Sequence, residues 1–217
     1  MSYKKIFEDV ARFVRTKGIE VDIDFGPKLT KKDIVKARKR SYVPLPEGLI
    51  EFLEEIGDGV EFFWTSDDEA EDGTFTNIQI DSLEDIVDQN LEQMDFAPEW
   101  VANYEFDGCA DPVLAKKTAA RMRNWIHFHA EGNGDSFALE THVAPSPVVY
   151  NQMAWMDAGT GDNGLILGQS LFEFFRDWSR VCFQFPASLH WPDVCDKETG
   201  KVDWNSSFFN DEFRLPS

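Results

Sequence analysis

Residues Trp125 to Thr141 read W-I-H-F-H-A-E-G-N-G-D-S-F-A-L-E-T. This is the pattern of a strand, a tight glycine turn and a returning strand. Strand side chains alternate between faces, so Trp125, His127, His129 and Glu131 are expected on one side and Ile126, Phe128 and Ala130 on the other. The turn E-G-N-G-D supplies two glycines and an asparagine, residue types that tolerate positive φ in short hairpins. The segments before and after it read as elements that cover or extend this hairpin. It also carries the most tempting chemistry, two histidines with carboxylates nearby.

Upstream, Ile6, Phe7, Val10, Phe13 and Val14 recur at helical spacing, and Gly18 is placed to close that helix. Val21, Ile23 and Phe25 then alternate with acids, as in a short strand. The run K-L-T-K-K-D-I-V-K-A-R-K-R, Lys28 to Arg40, is expected to be a basic helix capped by Thr30, available to pair with acids of this chain or of a second copy. Pro46 suits a helix start, and Leu49, Ile50, Leu53 and Ile56 form an apolar stripe ended by Gly57 or Gly59. A strand from Val60 to Trp64, an acidic turn from Asp67 to Gly73 and a strand through Ile78 and Ile80 follow. Ser82, with Asp85 three residues on, caps a further helix.

Downstream of the hairpin, Val148 to Tyr150 reads as a strand after a proline-marked loop, and Leu165 to Leu167 leads into a helix capped by Ser170. That helix buries Leu171, Phe174, Phe175 and Trp178. In the last segment, Trp191, Trp204, Phe208, Phe209 and Phe213 are too apolar to be left in water, so they are expected to pack on the domain or contact a partner.

The order P-x-G-L-I-E-F-L-x-x-I-G-D-G, then S-L-E-D-I, then G-N-G-D-S-F-A-L-E, then S-L-F-E-F-F-R-D-W resembles the SUKH superfamily over roughly Tyr42 to Val181. That superfamily includes the fungal cell-wall assembly regulators and many bacterial immunity proteins. The chain departs from the short family pattern by an N-terminal extension through Arg40 and an insertion between Leu91 and Arg123. In that insertion Trp100, Tyr104 and Phe106 are expected to act as anchors. The expected organisation is a single α+β domain with a mixed, mainly antiparallel sheet flanked by helices. Residues 1–41 form a helical extension with the basic run, 42–181 the SUKH-like domain with its insertion at 92–123, and 182–217 an aromatic-rich segment packed on it.

Composition narrows the function classes. The net charge is −19, and no Lys or Arg occurs from Ser41 through Ala115. Such a surface repels nucleic acid and anionic membrane and speeds encounter with a basic partner. No stretch approaches the roughly 18 apolar residues of a membrane helix, and the N-terminus lacks a signal-peptide core. Cys109, Cys182 and Cys195 show no C-x-x-C spacing, so reduced cytoplasmic thiols are expected.

Two imidazoles on an H-x-H strand suit zinc, iron or manganese, and Glu131, Asp135, Glu140 or His142 could complete such a set. The carboxylate spacing does not match the cupin pattern, and two histidines alone cannot finish a tetrahedral site. His127 and His129 are therefore read as a polar sheet face, and no cofactor is expected. There is no G-x-S-x-G, H-E-x-x-H, P-loop or dinucleotide fingerprint. In D-A-G-T-G-D-N-G the calcium-loop position that needs Glu is Gly168.

The resulting expectation is a non-enzymatic protein that binds a protein partner. The family resemblance implies an immunity protein neutralising a basic toxin domain, often a nuclease. A regulatory scaffold is the alternative and a metalloenzyme using His127 and His129 a lesser one, and a homodimer is conceivable. The candidate contact residues are Glu61, Asp67, Asp68, Glu69, Glu71 and Asp72; Asp81, Glu84, Asp85, Asp88, Glu92 and Asp95; and the turn acids Glu131 and Asp135. Trp64 and Trp100 are candidate aromatic anchors.

Overall fold

Ser2 and Gly18 set the limits of the first helix. The Ser2 hydroxyl accepts from the Lys5 N–H at 3.3 Å, satisfying one orphan donor of the first turn of α1 (Tyr3–Thr16). Gly18 then turns the chain at φ 82°. In the computed structural model, residues 1–66, 74–92, 117, 120–130, 136–151, 165–185, 191–196 and 201–216 are described. β1 (Asp22–Phe25) is followed by α2 (Lys31–Arg40), opened by a reciprocal Thr30–Asp33 capping box. α3 (Glu47–Ile56) begins directly after Pro46 and ends at Gly57. β2 (Val60–Thr65) and β3 (Phe75–Ile80) precede a helix over residues 83–92, α4, whose first turn is capped by Ser82 and Asp85. β4 (Trp125–Ala130), β5 (Ser136–Glu140), β6 (Val148–Asn151), β7 (Ile166–Gly168) and α5 (Leu171–Ser179) follow.

The α+β class and the flanking helices are as expected, and every pairing among the described strands is antiparallel. The described strands divide, however, into two sheets, ordered β1-β2-β3 and β4-β5-β6-β7. Asn90 of α4 explains part of this division. Its side-chain amide accepts from the His127 N–H and donates to the His127 carbonyl, both at 2.9 Å, with a second donation to Ile86 O at 2.7 Å. One buried side chain thus offers the edge of β4 the donor and acceptor that a neighbouring strand would supply. His129 Nδ1 lies 2.8 Å from Gln79 O of β3, making a second stitch between the sheets.

Helices α1, α3 and α5 cover the inner face of the first sheet through aromatic contacts. Tyr3 meets Phe52 edge-on at 4.9 Å, Phe52 stacks on Phe175 at 5.0 Å, and Phe7 touches both Phe62 and Phe183. The N-terminal helix is therefore part of the main core, with Phe7, Val10 and Val14 fully buried. Phe137 of β5 joins the second sheet to this core by packing against Phe174 and Trp178 of α5. The last segment also packs inward, with Trp204, Phe209 and Phe213 buried, whereas Phe208 is exposed.

The I-G-D-G stretch works as a clasp. Gly57 sits at φ 121° and Gly59 at φ 111°, and a Cβ on Gly57 would lie 2.2 Å from Gly26 O. The approach permits Gly26 N–H to donate to Gly59 O, and Leu83 N–H to donate to the Asp58 carboxylate at 2.7 Å. The end of β1, the start of β2 and the start of α4 are joined in this way.

Candidate binding surface

The histidine strand does not have the geometry that strict alternation predicts. The β4–β5 register shifts between His127 and His129, so His127 lies opposite Ala138 while His129 lies opposite Phe137. A bulge of this kind inserts one residue and reverses the phase of everything beyond it. His127 accordingly shares the side of Trp125, with its Nδ1 2.8 Å from Ser136 Oγ. His129 is turned to the main core, 5.0 Å from the Phe137 ring and 6.0 Å from Phe185. The expectation of two imidazoles on one face is thus corrected. Loss of hydration pushes both histidines down to about 4, so both are neutral at physiological pH. Because Gln79 O can only accept, His129 carries its proton on Nδ1, and its buried Nε2 has no partner among the described residues. Among the described residues no three His, Cys, Asp or Glu side chains gather as a metal site. Glu140 is engaged elsewhere, in a two-pronged bond with Arg121 and 3.3 Å from His142.

The basic run finds its acids within the chain. Lys36 reaches Glu84 at 2.5 Å, Arg40 contacts both Glu84 and Asp88, and Arg38 grips Glu47 with bonds of 2.7 and 2.8 Å. Asp85 is occupied in capping α4, and Asp81 accepts from Gln89 at 2.7 Å. Between α2 and α4 lies a cleft of about 340 Å³, with Lys28, Lys36 and Arg40 facing Asp33, Asp58 and Glu84. Burial raises the Asp58 carboxyl above its ordinary range, and the nearby acids Asp33, Asp85 and Glu84 add to this. The mixture of signs leaves no single-sign field to draw in a small ion.

The outer face of the first sheet is organised differently. Alternation along β1, β2 and β3 buries Phe62, Trp64 and Ile78 and turns Asp22, Asp24, Glu61, Phe63, Asn77 and Gln79 to solvent. Phe63, 41% exposed on the middle strand, is flanked by Asp22 on one side and Asn77 on the other. Asp24 lies directly opposite Glu61. Among the described residues, none of these three acids is in an ion pair.

Of the residues singled out from sequence, Glu61 and Glu92 are exposed, and Glu84 and Asp88 are tied to α2. Trp64 is corrected from surface anchor to core residue. It is fully buried under Phe213 at 4.8 Å and donates its indole N–H to Cys182 O. Asp67, Asp68, Glu69, Glu71, Asp72, Asp95, Trp100, Glu131 and Asp135 lie outside the described residues. Sequence reasoning missed Phe63, Asp22 and Asp24. The signal was present in the alternation of acids with Val21, Ile23 and Phe25, which marks Asp22 and Asp24 as an outward row.

The order of elements, with α3 running into the G-D-G clasp, then β2-β3, α4, the β4-β5 pair and α5, is the order in which the quoted motifs occur. The family model of the SMI1/KNR4 family (SUKH-1) matches residues 28–177. The chain belongs to the SMI1/KNR4 family. The match begins at the basic run, so in this SUKH-1 member α2 lies within the family's span and α1 precedes it. No curated protein gives a significant match. No helix among the described residues is long and apolar enough to cross a membrane.

Proposed function

We propose that this SUKH-1 protein is a non-enzymatic, cytoplasmic binding protein that neutralises a basic toxin domain by occupying its working surface. The observation that supports this reading most is the distribution of charge. Forty Asp and Glu face 21 Lys and Arg, and in α2, where the cations are most concentrated, Lys36, Arg38 and Arg40 are already engaged by Glu47, Glu84 and Asp88. The rest of the surface keeps an unbalanced negative field. A nuclease must present a basic groove to its substrate, and a polyanionic protein can fill that groove with fast, salt-dependent association. Neutralisation by contact requires no catalytic group of its own.

The test is co-expression with the toxin-like product of an adjacent reading frame, together with binding measured at rising ionic strength. Rescue of growth and weakening of the complex with salt are expected. A scaffold of the fungal type would bring down several host proteins and give no rescue. Absence of rescue by every neighbouring product, or binding indifferent to salt, would refute the proposal.

A further inference from the structure

We infer that the outer face of the β1-β2-β3 sheet is the docking surface for a cationic protein segment that also carries an apolar side chain. The inference rests on the binding-protein reading above and assigns it a place. Three observations converge on this face. Phe63 is a large aromatic left exposed at the centre of the middle strand, where the flanking strands hold it in a fixed position. Asp24 and Glu61 are paired directly across strands, and among the described residues neither is in an ion pair. Like charges so placed oppose folding, since directly opposed side chains sit only about 4.5–5.5 Å apart at Cβ. On α4, by contrast, Glu84 and Asp88 are held by cations of α2 and Asp85 caps the helix.

A fold that pairs Glu84 and Asp88 internally yet sets two unpaired acids against each other beside an exposed aromatic has a surface that an external cation completes. The charge complement is therefore arginine or lysine on the partner, and the complement of Phe63 is an aliphatic or aromatic side chain among them. Nucleic acid is excluded by sign. Addition of a strand to the edge of β1 is disfavoured because charged side chains on an edge strand discourage such pairing.

The experiment uses the whole chain, isotopically labelled, titrated with a short blocked peptide of arginines interrupted by leucines, at low salt and again near physiological ionic strength. Amide shifts are expected to concentrate in residues 22–25, 60–65 and 75–80, and to diminish with salt. Asp24→Lys with Glu61→Lys should weaken binding on the order of tenfold, and Phe63→Ser by a comparable or larger factor. Glu84→Gln with Asp88→Asn should leave it within about twofold, because those acids are already paired. The neutral pair Asp24→Asn with Glu61→Gln should weaken binding while raising the melting temperature, a combination that a purely structural role cannot give. Shifts centred on α4, no measurable binding, or a lower melting temperature for the neutral pair would overturn the assignment. If a cognate toxin is in hand, rescue by Asp24→Lys with Glu61→Lys as full as by wild type would overturn this surface and leave neutralisation standing. Failure of the wild type to rescue would remove neutralisation, and the peptide titration would still decide the face.

Discussion

Asn90→Ala removes the side chain that finishes the edge of β4. Asn90 is 1% exposed, and its amide makes two bonds to the His127 backbone and one to Ile86 O. The Ile86 carbonyl retains its helical environment, so the cost centres on the His127 N–H and C=O. Leaving a buried backbone group without a partner costs about 1–3 kcal/mol, and a water entering the vacated space would recover part of that. The expected loss is therefore about 2–4 kcal/mol. With a urea slope of about 2–3 kcal/mol/M, the unfolding midpoint should fall by about 1 M. The His127 amide should also lose protection from hydrogen exchange, whereas amides of α1 should follow only the global change. Asn90→Asp is the sharper companion. One carboxylate oxygen can still accept from His127 N–H, but the other would face the two carbonyl oxygens that the amide now bonds. Asn90→Asp should be at least as destabilised as Asn90→Ala at neutral pH and should recover relative to it on acidification. If Asn90→Ala unfolds at the wild-type midpoint, or Asn90→Asp matches the wild type at neutral pH, the edge-capping argument is wrong.

Three further outcomes follow from the geometry. His127 and His129 are held near 4 in the fold against an ordinary value near 6.5, so protonation favours the unfolded chain. Their neutral-state stability is present above pH 6.5 and is lost as pH falls toward 4, by up to about 3 kcal/mol each; urea midpoints of wild type and of His127→Gln with His129→Phe should converge over that interval, and parallel curves would refute it. Gly57→Ala places a Cβ 2.2 Å from Gly26 O at φ 121°, so a loss of more than about 2 kcal/mol is expected by denaturant titration. Trp64→Phe forfeits the bond to Cys182 O and some volume beneath Phe213, and should cost about 1–3 kcal/mol; peptide affinity of the folded variant should be unchanged, and a binding defect without a stability defect would restore Trp64 as a contact residue.

Much of the local structure was legible because it rests on short-range physics. Thr30, Ser82 and Ser170 cap the helices that their spacing to later residues announces, and Gly57 ends α3 by its backbone freedom. The basic run was legible as a helix, but its partners were not, since Glu84 lies 48 residues beyond Lys36. The candidate site was read less well. Acidity was visible, but which acids are paired depends on contacts between helices distant in sequence. Trp64 illustrates the same limit, because its strand alternates correctly while the identity of the covered face is set by α1, Phe183 and the C-terminal Phe213.

Trp125–Thr141 draws the division most clearly. The sequence by itself determined two strands and an antiparallel pairing, because alternation and turn chemistry act over a few residues. Only the tertiary structure decided where the histidines point. The extra residue of a bulge is accommodated by what the neighbouring strand and α4 present, so His127 and His129 fall on opposite sides and are neutralised by burial. The sequence also determined the excess of acid. Which acids remain for a partner was decided by the folded chain, which pairs α2 with α4 and, among the described residues, leaves Asp24 and Glu61 out of any ion pair. Charge is a property of composition, but its availability depends on distance, and distance between remote residues exists only in the fold.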